Sequence, residues 1–239
     1  SDILIGGEGD DILMADGGNT AFPGGSGGGG GFLENPPREA DDLFIGGKGN
    51  DTYIVHSQQQ TIAEFTDEGT DTVKSTVSYT LGEHLENLTL VSPSVRFDSE
   101  GNVLLSALLN GTGNELDNLL FGSEDDNVLS GLAGRDTLWG GSVQNAESGV
   151  IISGNDILIG GTGHDTYLFK IGDGIDTIED VSVVGEGNRI QFGAGITRND
   201  LVLTEDQATR TLTIAVGTGG DAIRLTNFDL TGVNGTSVV

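Results

Sequence analysis

The residues of this chain with the most chemical reach are aspartates, and they recur at a fixed interval. In Gly160-Gly161-Thr162-Gly163-His164-Asp165-Thr166-Tyr167-Leu168 a carboxylate holds the sixth place of a nine-residue phrase whose first, second and fourth places are glycine. The phrase returns at residues 6–14 with Asp11, at 46–54 with Asp51 and, weakened, at 131–139 with Asp136. Glycine reaches φ > 0 without a Cβ clash, so the first six residues can turn tightly. Such a turn points carbonyl oxygens inward, and the aspartate adds a carboxylate to them. Oxygen ligands at close quarters suit a hard cation, above all Ca²⁺.

The last three places of each phrase are β-formers, and strand alternation sends the eighth to one face. Position eight reads Leu4, Leu13, Phe44, Tyr53, Leu120, Leu129, Leu138, Leu158 and Tyr167, an apolar ladder fit for a core. A nine-residue unit cannot bury that side chain alone, so the units must stack. Each phrase is then a metal-binding turn followed by a short packing strand.

Composition points the same way. The 239 residues include 41 glycines without a collagen-type period, and 37 acidic against 10 basic residues give a formal charge of −27. That charge repels nucleic acid and anionic membranes, and it demands either disorder or bound cations. With no cysteine, disulfides and thiolate metal sites are excluded. No apolar run approaches the roughly 20 residues of a membrane span. The chain opens inside a phrase at Ser1-Asp2-Ile3, without a signal peptide, and reads as part of something longer.

On these residues the chain resembles the repeats-in-toxin (RTX) calcium-binding modules of Gram-negative proteins exported by type I secretion. The resemblance implies an all-β fold, a right-handed parallel β-roll in two blocks with a β-rich C-terminal cap. Two phrases make one turn of the coil, and each Ca²⁺ lies between loops two phrases apart. The implied ligands are the carboxylates of Asp2, Asp11, Asp42, Asp51, Asp136, Asp156, Asp165 and Asp176 and the amide oxygens of Asn118 and Asn127. Backbone carbonyls of Gly6, Glu8, Gly9, Gly46, Lys48, Gly49, Gly122, Gly131, Ala133, Gly140, Gly160 and Thr162 complete the set. Asn is a neutral ligand, so turns 113–121 and 122–130 should hold Ca²⁺ weakly or use Asn only as a turn cap.

Four regions are expected along the chain. A first roll block covers 1–55, with a flexible Gly-rich excursion at 15–36. Its run Gly24-Gly25-Ser26-Gly27-Gly28-Gly29-Gly30-Gly31 lacks the Gly-Lys-Ser/Thr of a phosphate loop. A β-rich linking segment covers 56–110. The second block covers 111–180, interrupted at 142–153. A capping region at 181–239 contains four strand-like runs, around 188–192, 201–204, 211–216 and 222–228. Five of the ten basic residues lie in the last 70, so negative charge concentrates where cations are expected.

Catalytic chemistry finds little footing. There is no His-Glu-x-x-His and no Gly-x-Ser-x-Gly elbow, the literal match at Gly24–Gly28 being part of the low-complexity glycine run. With 37 acids, chance carboxylate pairs are expected, so a glycosidase pair carries no weight. His84 reads as a surface loop residue, His164 fills position five where only the backbone matters, and Trp139 falls on a strand position. The expected function is a non-enzymatic, secreted module that folds on Ca²⁺ outside the cell and supports type I secretion of a larger protein. At a hundredfold excess over Kd one site contributes about 2.7 kcal/mol, so roughly three to six ions would decide the fold. The expected partners are Ca²⁺ and the type I secretion apparatus. The alternatives are an adhesin-type module for a surface glycan or partner protein, with 15–36 and 142–153 as recognition loops, or an accessory module of a polysaccharide-modifying enzyme.

Overall fold

The computed structural model describes residues 2–15, 42–92, 96–97, 103–104, 108–144, 149, 151–180 and 187–228. Nearly all of excursion 15–36 and the last residues of the capping region lie outside them. The fold follows from the nine-residue phrase. A turn rich in positive φ reverses the chain, a short strand follows, and the next turn reverses it again. Successive strands therefore fall alternately on two facing sheets.

The first half supplies β1 (Ile3–Glu8), β2 (Ile12–Met14), β3 (Leu43–Lys48), β4 (Thr52–Val55), β5 (Thr61–Ala63), β6 (Thr72–Ser75), β7 (Tyr79–Thr80) and β8 (Asn87–Leu90). A small antiparallel pair, β9 (Arg96–Phe97) and β10 (Val103–Leu104), interrupts the coil. Then come β11 (Asn110–Thr112), β12 (Leu119–Phe121), β13 (Val128–Gly134) and β14 (Thr137–Trp139). A second antiparallel excursion, β15 (Ser142–Gln144) with β16 (Ile151–Ser153), fills the interruption in the second array. The coil resumes with β17 (Ile157–Gly163), β18 (Thr166–Phe169), β19 (Ile175–Ile178) and β20 (Arg189–Phe192). It closes with β21 (Leu201–Asp206), β22 (Thr211–Val216) and β23 (Asp221–Leu225).

One face is a single eight-stranded sheet in the order β2-β4-β6-β8-β12-β14-β18-β20. The opposite face is divided into β1-β3-β5 and β21-β22-β23-β19-β17-β13-β11-β7. Apart from the two antiparallel excursions, pairing along the coil is parallel, and the β21-β22-β23 meander turns antiparallel as it covers the last coil. This is an all-β parallel roll with a β-rich end. The segment between the arrays joins the coil directly, because β6 and β8 sit between β4 and β12 in the continuous sheet. Among the described residues the one helical element is the short 3₁₀ turn Arg198–Asp200, and no helix is long and apolar enough to cross a membrane.

Position eight is the core. In the continuous sheet Leu13, Tyr53, Val73, Leu88, Leu120, Leu138, Tyr167 and Ile190 stand in register, strand upon strand. Opposite them, Leu129, Leu158, Ile178 and Leu225 form a second column. From Tyr53 to Leu138 the first column is wholly buried, at 0% exposure. Burying one such side chain stabilises by about 1.5–3 kcal/mol, so the ladder is the main apolar driving force. The end strands are less covered: Ile3 and Ile12 remain 69% and 74% exposed.

Candidate metal centre

The turns owe their shape to the second and fourth glycines. Gly47 and Gly49 have φ of 92° and 141°, and Gly161 and Gly163 have 103° and 137°. The weakened phrase breaks this rule, because Leu132 takes the second place with φ 78°. The first glycine has a different purpose. A Cβ on Gly46, Gly131, Gly140 or Gly160 would strike the Oδ2 atom of the aspartate at position six of its own turn. That hydrogen-only face leaves space for a carboxylate oxygen.

The aspartates form ladders along the loops. One carboxylate oxygen, Oδ1, accepts the backbone N–H of the position-six residue one coil earlier. Asp42 accepts from Asp2 at 2.8 Å, Asp51 from Asp11 at 2.7 Å, and Asp71 from Asp51 at 2.7 Å. In the second array Asp136 accepts from Asn118 at 2.8 Å and Asp165 from Asp136 at 2.9 Å. Across the roll Asp156 accepts from Asn127 at 2.7 Å and Asp176 from Asp156 at 3.0 Å.

The other oxygen is the chemically active one. Oδ2 of Asp11, Asp51, Asp136, Asp156 and Asp176 is buried and meets no hydrogen-bond donor. A buried carboxylate oxygen without a partner costs several kcal/mol unless a cation or a proton compensates it. Burial pushes the Asp136 carboxyl up to about 7, with the Asp165 and Asp117 charges adding to the shift and the Asn118 N–H opposing it. Asp51 is also raised, first by burial and then by neighbouring acids. Asp156 and Asp176 rise together, with burial the chief cause in both. Without a counter-charge these groups hold protons well above the ordinary carboxylate range.

The sequence-derived ligand set divides into three kinds in the structure. Asp11, Asp51, Asp136, Asp156, Asp165 and Asp176 hold the ladder positions just described. Asp42 differs, because Gln60 Nε2 donates to its Oδ2 at 3.2 Å, and Asp2 is exposed. Asn118 and Asn127 serve as turn caps. Asn118 Oδ1 accepts the Asn114 N–H at 2.7 Å while its Nδ2 faces the Glu86 carbonyl at 3.2 Å. Asn127 Oδ1 accepts the Ser123 N–H at 2.6 Å and its Nδ2 reaches the Leu109 carbonyl at 2.7 Å.

The carbonyls of the set are stacked from coil to coil. Those of Gly46, Gly131, Gly140 and Gly160 lie against the glycine that opens a neighbouring coil's loop: Gly6, Gly113, Gly122 and Gly131. The Lys48 carbonyl already accepts the Gly9 N–H at 2.7 Å. Gly9 and Gly49 are packed so closely that a Cβ on Gly49 would overlap the Gly9 carbonyl. Glu8 and Thr162 are exposed near the ends of β1 and β17, and Ala133 is half-buried near the end of β13.

The profile of the RTX calcium-binding nonapeptide repeat matches the chain in four copies, at residues 1–20, 39–54, 112–145 and 153–178. The chain carries RTX calcium-binding repeats. The matched segments contain every ladder aspartate of the sequence-derived set, and carbonyl plus carboxylate oxygens are the donor set that Ca²⁺ prefers. Over 95 residues the chain is 34% identical to the endo-1,3-1,4-β-glycanase ExsH of Rhizobium meliloti (strain 1021), covering 40% of this chain and 16% of the glycanase. The extracellular lipase LipA of Serratia marcescens aligns with 97% of this chain and 37% of its own, at 17% identity and a TM-score of 0.25. The chain thus spans only a minor part of either protein.

The RTX repeats do not account for every buried acid. Glu64 and Asp71 lie outside the matched segments and were not in the sequence-derived set, yet both are buried beside Asp51. Trp139 is held by its Nε1–H to Asp173 Oδ2 at 2.8 Å, with the Lys170 ammonium 3.2 Å above the ring. His164 Nδ1 accepts the Gly187 N–H at 2.9 Å. These contacts give Trp139 and His164 structural partners.

Proposed function

We propose that this chain is a calcium-dependent folding module of an exported protein. The observation that carries the reading is the row of buried Oδ2 atoms without donors, those of Asp11, Asp51, Asp136 and Asp156 each above a glycine that leaves it room. At low Ca²⁺ the carboxylates repel one another and stay expensive to bury, which favours an unfolded chain able to thread a secretion channel. At millimolar Ca²⁺ the ions compensate the oxygens, the loops close and the position-eight ladder packs. Binding that is confined to the folded state adds RT ln(1 + [L]/Kd) per site. Export by a type I apparatus and an extracellular location belong to the same reading. The test is circular dichroism of the chain in chelator, followed by titration with CaCl₂. A coil spectrum that turns into β structure with added Ca²⁺ is expected; full β signal in chelator contradicts the reading.

A second reading makes the chain the accessory module of a polysaccharide-modifying enzyme. It is supported by the 34% identity with the glycanase ExsH. Under it the chain keeps the same calcium-dependent fold and has no catalytic group of its own. Fusion of the chain to a glycanase domain, assayed on insoluble polymer with and without Ca²⁺, tests whether it adds anything beyond stability.

A further inference from the structure

The sheet opposite the continuous face is broken between β5 and β7. On the continuous face the same two coils pair in register, Val73 of β6 with Leu88 of β8, yet no backbone hydrogen bond joins β5 to β7. A cavity of about 480 Å³ lies between these two strands. Thr61, Ser78 and Thr80 line it from the outer side and Ile62 and Tyr79 from the inner, so it passes between the strands instead of resting on one face.

The break leaves backbone groups without partners on both sides. The Thr61 N–H donates to the Asp42 carbonyl at 2.8 Å, and the Leu81 N–H to the Thr112 carbonyl at 2.9 Å. By alternation Ile62 and Thr80 turn their N–H and C=O groups the other way, into the cavity. An unpaired strand edge is a template for another chain, and here two such edges face each other. The inner apolar column is interrupted at the same place. It runs through Leu4, Phe44 and Ile62 on one side and through Tyr79, Gly111 and Leu129 on the other. Phe44 and Leu129 are 0% exposed, whereas Ile62 and Tyr79, which flank the break, are only half-buried.

Side chains hold the cleft at both ends. Gln58 Nε2 reaches the Ser78 carbonyl at 3.5 Å before the strands, and Thr66 Oγ1 meets His84 Nε2 at 3.4 Å after them. A second cavity of about 360 Å³ shares Gln58 with the first and gives a chain room to enter. The lining of the cleft holds no carboxylate and no cationic group, although the chain carries a formal charge of −27. An occupant that fits must offer N–H and C=O groups along two edges and an apolar side chain on its inner face. A β-strand does all of this; a saccharide offers hydroxyls but nothing to complete the column.

We propose that the cleft between β5 and β7 takes an extended peptide segment of a partner protein, which adds as a strand to both edges. A central apolar side chain of that segment fills the column between Ile62 and Tyr79. Because β5 has three residues, about 10 Å of partner strand spans the cleft, at roughly 3.3 Å per residue. Basic residues flanking the segment are favoured, since the chain stays anionic even with several Ca²⁺ bound. The proposal needs the folded chain and is independent of how that fold is reached or of any role in secretion.

The test is a titration of the whole folded chain, in CaCl₂, with the peptide Lys-Thr-Val-Thr-Ile-Thr-Val-Lys, while amide hydrogen exchange is followed by NMR. Without peptide the Ile62 and Thr80 amides should exchange fast beside the protected amides of Thr61 and Leu81. Bound peptide should slow both by roughly tenfold or more. The same peptide N-methylated at alternate residues loses its donors along one edge and should leave them fast. Thr80→Pro removes the N–H on the β7 side, a change that edge strands tolerate, and should weaken binding several-fold. If that variant does not fold, the exchange readout in the parent chain decides. No binding of the peptide, or binding that leaves Ile62 and Thr80 exchanging freely, would overturn the proposal. Cellohexaose slowing the same two amides where the peptide does not would make this a saccharide cleft and would overturn it as well.

Discussion

The Oδ1 atom of Asp51 accepts the backbone N–H of Asp11 at 2.7 Å, while Oδ2 of both aspartates is buried without a donor. One half of each carboxylate ties consecutive coils together and the other half waits for a counter-charge. The bond to the N–H is available to Asn as well as Asp. The second oxygen is what distinguishes a metal-holding turn from a merely capped one.

Asp136→Asn separates these halves. The amide oxygen can still accept the Asn118 N–H, but the buried charge is gone. In chelator the variant should be as stable as the parent or more so. In Ca²⁺ at a hundredfold excess over Kd it should lack the contribution of its site, about 2.7 kcal/mol. Urea melts in both conditions measure the difference.

Acidity should act with opposite sign in the presence and absence of metal. Burial, first of all, raises Asp136 to about 7, Asp71 to about 6 and Glu64 to about 8 in the folded chain. In the unfolded chain these groups titrate near 4, roughly. Between those limits the folded state binds more protons, so its metal-free stability is greatest below the unfolded values and falls as pH rises through the folded ones. Calcium ligands must be deprotonated, so with Ca²⁺ stability should instead rise with pH over the same interval. Denaturation midpoints at several pH values, in chelator and in Ca²⁺, should cross. Parallel curves would contradict the assignment.

The position-eight core should matter regardless of metal. Leu88 and Leu120 are 0% exposed and pair across β8 and β12. Leu120→Ala should destabilise the Ca²⁺-loaded chain by about 2–5 kcal/mol, through lost burial and the cavity left behind. Its effect on the number of ions bound at saturation should be nil.

Leu132 offers the opposite case. It holds φ 78° at a turn position where neighbouring loops place glycine, and it is 43% exposed. Left-handed backbone costs a non-glycine residue about 1–2 kcal/mol, partly offset by the extra freedom of glycine in the unfolded chain. Leu132→Gly should therefore stabilise the fold by about 0.5–1 kcal/mol, measured by urea melts in Ca²⁺.

Much of this was legible in the sequence because the phrase states it directly. The nine-residue period placed Leu13, Tyr53, Leu120, Leu138 and Tyr167 in one column, and each is buried there. The glycines and the position-six aspartates marked the loops for the same reason. Glu64 and Asp71 were not legible. Their loop contains no glycine pair, and Glu64 stands in the slot that Gly46 fills one coil earlier, which only the pairing of Ile45 with Ala63 reveals. The fates of Asn118 and Asn127 were equally hidden. Whether Asn binds metal or caps a turn depends on which carbonyl faces its amide, and those carbonyls, from Glu86 and Leu109, come from other coils.

The most direct measurement is anomalous diffraction from crystals of the chain grown with Ca²⁺. Peaks about 2.3–2.6 Å from the Oδ2 atoms of Asp51, Asp136, Asp156 and Asp176 are the predicted result. Well-ordered loops with those oxygens facing only water or one another, and no ion between coils, would contradict the account.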